Sequence, residues 1–144
     1  MNITLCINEK KIDSNYQKAI DEYIKRTGVF AKVEIQLFKT AGNIKPKKSS
    51  YVFILKSGKQ SITSENFAEK IIDLNIAGFS SLEFIISENE EVIKKITEAL
   101  TASDISFEFF TVSSMQLTND ALCTALSEQI YRAYTINNHI SYHK

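Results

Sequence analysis

Hydrophobic positions along the chain switch repeatedly between a period of two and a period near 3.6. The stretch NITLCI, residues 2–7, places Ile3, Leu5 and Ile7 two apart and predicts a strand. Tyr16, Ala19, Ile20, Tyr23 and Ile24 then fall on one helical stripe. Ser14-Asn15-Tyr16-Gln17 has the pattern of a capping box at the start of that helix, and Gly28 stands where it should stop. AKVEIQLF, 31–38, returns to alternation and predicts a second strand with Val33, Ile35 and Leu37 inward. A loop, KTAGNIKPKKSS, follows and shows no helix.

The second half repeats the scheme with stronger signals. YVFILK, 51–56, is a nearly unbroken run of β-branched, aromatic and aliphatic residues, the mark of a strand covered on both faces. Residues 64–76 predict a helix that buries Phe67, Ile71, Leu74 and Ile72, with Gly78 just past its end. SLEFII, 81–86, is another buried strand, and EEVIKKITEALTA, 90–102, a helix with Val92, Ile96 and Leu100 at turn spacing. ISFEFFTV gives a fifth strand. The last helix, about 119–136, has a stripe through Leu122, Leu126, Gln129 or Ile130, Ala133 and Ile136. Strands alternating with helices of this length predict an α/β fold with a mostly parallel sheet flanked by helices, in one domain spanning 1–144.

Composition narrows the classes of function. A chain of 144 residues with one proline and four glycines is long enough to bury roughly 68–70% of its unfolded surface around a single core. Its 17 basic and 17 acidic residues cancel, so no global field draws it to DNA or to a membrane surface. Any RNA contact must come from a local patch. Only Arg26 and Arg132 are arginines, which leaves most phosphate contact to lysine. Cys6 and Cys123 are far apart and sit in apolar patterns, as free buried thiols in a reducing compartment would. The start, MNITLCINEKK, lacks the pattern of a secretory signal, and no apolar run approaches about 18 residues. A cytoplasmic protein is expected.

Three blocks carry a family resemblance. EQIYRAYTINNHISYHK, 128–144, resembles the end of the SPOUT-superfamily large-subunit ribosomal RNA methyltransferase H family, with its Y-R-A and terminal Y-H-K. NYQKAIDEYIKRTGVFAKVEI is similar to that family's first helix and second strand, and VFILKSGKQSITSENFAEKI to its strand, G-K turn and following helix. The resemblance runs over nearly the whole chain. It implies a trefoil-knotted fold, in which 112–120 passes beneath the 85–88 connection, and a homodimer with much of its interface on the last helix. It also implies S-adenosylmethionine (S-adenosyl-L-methionine) as cofactor. The methyl group would go to N3 of a pseudouridine in ribosomal RNA, so the ribosome is the implied partner.

By the same resemblance, Leu55, Ser87, Val112, Ser113, Ser114, Met115, Gln116 and Leu117 line the cofactor site, while Arg132, Tyr142 and His143 form the catalytic, substrate-facing group. The chain departs from the family at two places in that site. Ser87 and Glu88 stand where the family has paired glycines, and glycine serves such loops by letting backbone amides approach a ligand. Ser87-Glu88-Asn89-Glu90 is itself a capping-box pattern, with acidic side chains at the positive end of the helix dipole. Thr118 and Asn119 replace a Pro-His pair, and Cys123 an arginine.

The residues also admit plainer readings. Arg132 fits an ordinary surface arginine, and residues 142–144 a frayed end. His139 and His143 have the i, i+4 spacing of a metal pair without a third ligand, so no metal site is expected. Lys45, Lys47 and Lys48 beside Pro46 read as a phosphate contact or as a solvated charge run.

Overall fold

The computed structural model describes residues 1–59 and 61–144. Five strands, β1 (Asn2–Ile7), β2 (Lys32–Leu37), β3 (Ser50–Leu55), β4 (Ser81–Ile86) and β5 (Phe107–Phe110), form one sheet in the order β2-β1-β4-β3-β5. Every pairing in it is parallel. Three helices, α1 (Ser14–Thr27), α2 (Ser64–Ile76) and α3 (Glu90–Ala102), connect strands, and a fourth, α4 (Asn119–Asn137), follows β5. The order differs from the 3-2-1-4-5 sequence of a dinucleotide-binding sheet. A short 3-10 turn, Ala41–Asn43, is the only regular structure described between β2 and β3.

Strand alternation divides the core in two. Ile3, Leu5 and Ile7 of β1, Phe53 and Leu55 of β3, and Leu82, Phe84 and Ile86 of β4 share the face packed by α1, α2 and α4. Phe53 stacks on Phe84 at 4.9 Å, and Phe67 of α2 and Phe110 close an aromatic group around them. The other face, with Cys6, Val52, Ile54 and Ile85, packs against Ile96 and Leu100 of α3. Helix α4 packs against both α1 and α2, so all of its residues are buried or half-buried. Burial pushes the thiols of Cys6 and Cys123 up to about 12, and both are free.

Helix ends follow a common device. After α2, α3 and α4, Gly78, Asp104 and His139 adopt left-handed backbone with φ of 99°, 55° and 56°. In each case the next residue's amide reaches back into the last turn: Phe79 to Leu74, Ile105 to Leu100, and Ile140 to Thr135. His139 is thus the residue that turns the chain back along α4.

Several local expectations are corrected. The cap of α1 is Asp13, whose carboxylate accepts the Asn15 amide at 2.8 Å, and Gln17 donates to Asp21 instead of closing a box. Gly28 does end α1, as the C-cap, and does so in right-handed backbone at φ −57°. Leu37, at the end of edge strand β2, is 41% exposed, and Ile72 faces solvent at 42%. On α4 the buried position is Ile130, not Gln129, whose amide oxygen instead accepts from Ser64 at 2.7 Å.

Candidate functional site

The carboxyl ends of β3, β4 and β5 meet the start of α3 and the segment leading into α4, and a cavity of about 250 Å³ opens between them. Such a crevice outside the strand ends is where open parallel sheets hold ligands. Of the eight expected cofactor residues, Leu55, Ser87, Ser113, Met115, Gln116 and Leu117 line it. Val112 does not; it lines a smaller hollow between α2 and α4 with Phe67 and Gln129. Ser114 is exposed and lies outside the lining.

Further residues complete the wall, among them Glu88, Glu90 and Asn119, which the sequence marked only as departures from the family or as a helix cap. Ile54 and Ile93 add apolar wall, and Glu88, Glu90 and Lys56 bring charge. The Lys56 ammonium also lies 4.8 Å from the centre of the Phe109 ring, a cation–π contact at the same wall. Asn119 reaches the cavity too, and its amide donates to Glu9 at 3.1 Å, joining the start of α4 to the residues after β1.

The turn at Ser87 is closed on itself. Its hydroxyl donates to the Asn8 side-chain oxygen at 2.9 Å and accepts the Asn89 amide at 3.1 Å. The cap of α3 is Asn89, which accepts the Val92 amide at 3.1 Å, so the cap lies two residues beyond Ser87 and the expected box does not form. Two amides that could have pointed at a ligand are satisfied within the turn.

The remaining three candidates assemble elsewhere. Arg132 binds Glu128 one turn earlier on α4 and places a second nitrogen 3.0 Å from His143 Nδ1. Its guanidinium lies 5.1 Å from the centre of the Tyr142 ring, and the Tyr142 hydroxyl donates to Glu128 at 3.0 Å. The other ring nitrogen of His143 contacts Glu65 at the start of α2. Glu128 raises the Arg132 pKa, while the His143 contact lowers that of the Glu65 carboxyl. Burial, followed by bonds to Tyr23 and Glu128, raises the Tyr142 hydroxyl. Residues 142 and 143 are therefore held against the protein instead of fraying.

None of Arg132, Tyr142 and His143 lines the cavity. Glu128 was not singled out from the sequence, although its i, i+4 spacing from Arg132 is a signal that could have marked it. Glu65 carries no such signal, because it reaches His143 across 78 positions. No helix among the described residues is long and apolar enough to cross a membrane.

Comparison with known proteins shows the family. A family model described as "Predicted SPOUT methyltransferase" matches residues 1–143. A Clostridium novyi protein named ribosomal RNA large subunit methyltransferase H is 34% identical, with all of both chains covered. A Thermoanaerobacter protein named ribosomal RNA large subunit methyltransferase H 1 is 33% identical, again over all of both chains. The chain belongs to the SPOUT methyltransferase family.

Proposed function

We propose that this protein is an S-adenosylmethionine-dependent methyltransferase that modifies a pseudouridine of large-subunit ribosomal RNA, in the cytoplasm and as a homodimer. The observation that carries the reading is the gathering of Leu55, Ser87, Ser113, Met115, Gln116 and Leu117 around one crevice at the strand ends, in a chain matched along its length to this family.

The lining fits the cofactor in chemical kind. Leu55, Ile54 and Leu117 offer apolar wall to an adenine ring, and the chain at 113–117 offers backbone groups. Glu88 and Glu90 suit the positive sulfonium and ammonium, and Lys56 the carboxylate that those acids would otherwise repel. When bound, the cofactor supplies an electrophilic methyl group on positive sulfur. The protein's own part is placement: holding the base nitrogen and the methyl in line, which needs no strong nucleophile. Arg132, Tyr142 and His143 are the proposed RNA-facing group.

That group lies outside its own chain's cavity, which supports a site completed by a second copy. In the same reading, 112–120 threads beneath the 85–88 connection as a knot.

One observation favours a second reading. The Ser87 hydroxyl and the Asn89 cap close the turn where the family's glycines would admit a ligand. A chain that keeps the fold and its RNA contact but binds no cofactor would look the same there.

Calorimetric titration with S-adenosylmethionine and, separately, S-adenosylhomocysteine tests the choice. Micromolar binding, followed by methyl transfer to ribosomes lacking the modification, is expected. A folded dimer that gives no heat with either ligand rejects the catalytic reading and leaves the second.

A further inference from the structure

His143 is held from both sides by groups of opposite charge. Arg132 has only N–H donors, so its 3.0 Å contact with His143 Nδ1 requires that nitrogen to be an unprotonated acceptor. The ring proton then sits on Nε2 and is donated to the Glu65 carboxylate. Only the neutral Nε2–H tautomer satisfies both neighbours at once. A second proton on Nδ1 would face the guanidinium, losing that hydrogen bond and opposing two positive charges.

The elements that bring these groups together are unrelated in sequence. Thr63 caps α2 by accepting the Asn66 amide at 3.1 Å, which fixes Glu65 in the first turn. Left-handed His139 returns the chain along α4, and the Tyr142 ring packs edge-on against Tyr131 at 4.8 Å. The titratable and charged groups around His143 are Glu65 from α2, Arg132 and Glu128 from α4, Tyr142 beside it, and Tyr23 of α1 behind Tyr142. Among these, Glu65 is the one acceptor placed on the imidazole itself. Its side chain is 63% exposed while that of His143 is 22% exposed, so the carboxylate caps the ring from the solvent side.

We propose that Glu65 is a positioning residue. It fixes the tautomer and ring orientation of His143, and thereby holds Arg132, Tyr142 and His143 as one preformed group for RNA. This rests on the reading above that the group faces RNA.

The test uses the full chain as wild type, Glu65→Ala and Glu65→Gln. Imidazole nitrogen NMR reports the tautomer of His143 directly, with His139 as the single other histidine. Wild type is expected to show the Nε2–H form. Glu65→Ala should mix the tautomers. Glu65→Gln, which keeps an acceptor oxygen without the charge, should retain the tautomer.

In methylation assays Glu65→Ala should raise KM for the RNA several-fold with less effect on kcat, and Glu65→Gln should recover much of that loss. Affinity for S-adenosylmethionine should be equal in all three, since Glu65 is not in the cavity wall. An alanine variant with an unchanged His143 tautomer, or with wild-type RNA kinetics, overturns the proposal. A wild-type protein that methylates nothing counts against the proposed function alone, and the NMR result still decides whether Glu65 positions His143.

Discussion

The Ser87 hydroxyl lies 2.9 Å from the Asn8 side-chain oxygen, tying the turn after β4 to the residue that follows β1. The two strands are register neighbours, Ile7 against Ile86, so the bond continues their pairing beyond the last backbone rung. The same hydroxyl accepts the Asn89 amide, and Ser87→Ala removes both bonds. A loss of about 1–2 kcal/mol in urea unfolding is expected. Ser87→Gly should lose similar stability yet, on the proposed function, raise affinity for S-adenosylmethionine, because glycine lets backbone amides approach a ligand. Equal stability of wild type and the alanine variant would show that the tie contributes nothing.

The cavity wall gives a cleaner separation of binding from folding. Leu117 is half-buried at the crevice and belongs to neither core cluster. Leu117→Trp should fill much of the roughly 250 Å³ space with an indole. Calorimetry is expected to lose the cofactor signal while the melting temperature stays within about 2 °C of wild type. Retained affinity in a folded variant would place the cofactor elsewhere.

Much of this architecture was legible in the residues because its central elements are covered on both faces or carry a wide apolar stripe. The spans 64–76, 81–86 and 90–102 coincide with α2, β4 and α3 at both ends. Edges and caps were harder. Leu37 alternates correctly in sequence, yet an edge strand leaves it outside the core. Asp13 and Ser14 are both good caps, and only the folded geometry chooses the carboxylate. In the site, the 113–117 segment was found through motif resemblance. Lys56, Phe109 and Glu65 act through neighbours distant in sequence, and no local pattern marks such pairs.

His139 tests the turn that brings the last residues back. Its φ of 56° suits glycine, and for a residue with a side chain this conformation is strained. His139→Gly is therefore expected to stabilise the fold by up to about 1 kcal/mol, and His139→Val to weaken it by a similar amount. Guanidinium denaturation measures both. The valine variant should also loosen Tyr142 and His143, seen as faster amide exchange at those residues with α1 and α2 unchanged.

Glu83 makes a prediction about pH. It sits on central strand β4, paired with Thr4 of β1 on one side and Val52 of β3 on the other. Its Oε2 is buried without a partner among the described residues. Burial raises its carboxyl pKa, and the Ser50 hydroxyl offsets only part of that rise. The folded chain therefore keeps a proton that the unfolded chain has already released, and this group's contribution to stability falls as pH rises from the unfolded value through the folded one. Above that window the penalty is complete. Glu83→Gln removes the charge while keeping much of the shape, so it should stabilise the protein at neutral pH and leave little difference at pH values below the ordinary glutamate range. Unfolding free energies measured from acid to neutral pH provide the check: parallel curves for wild type and Glu83→Gln would mean that this carboxyl does not titrate differently in the folded state.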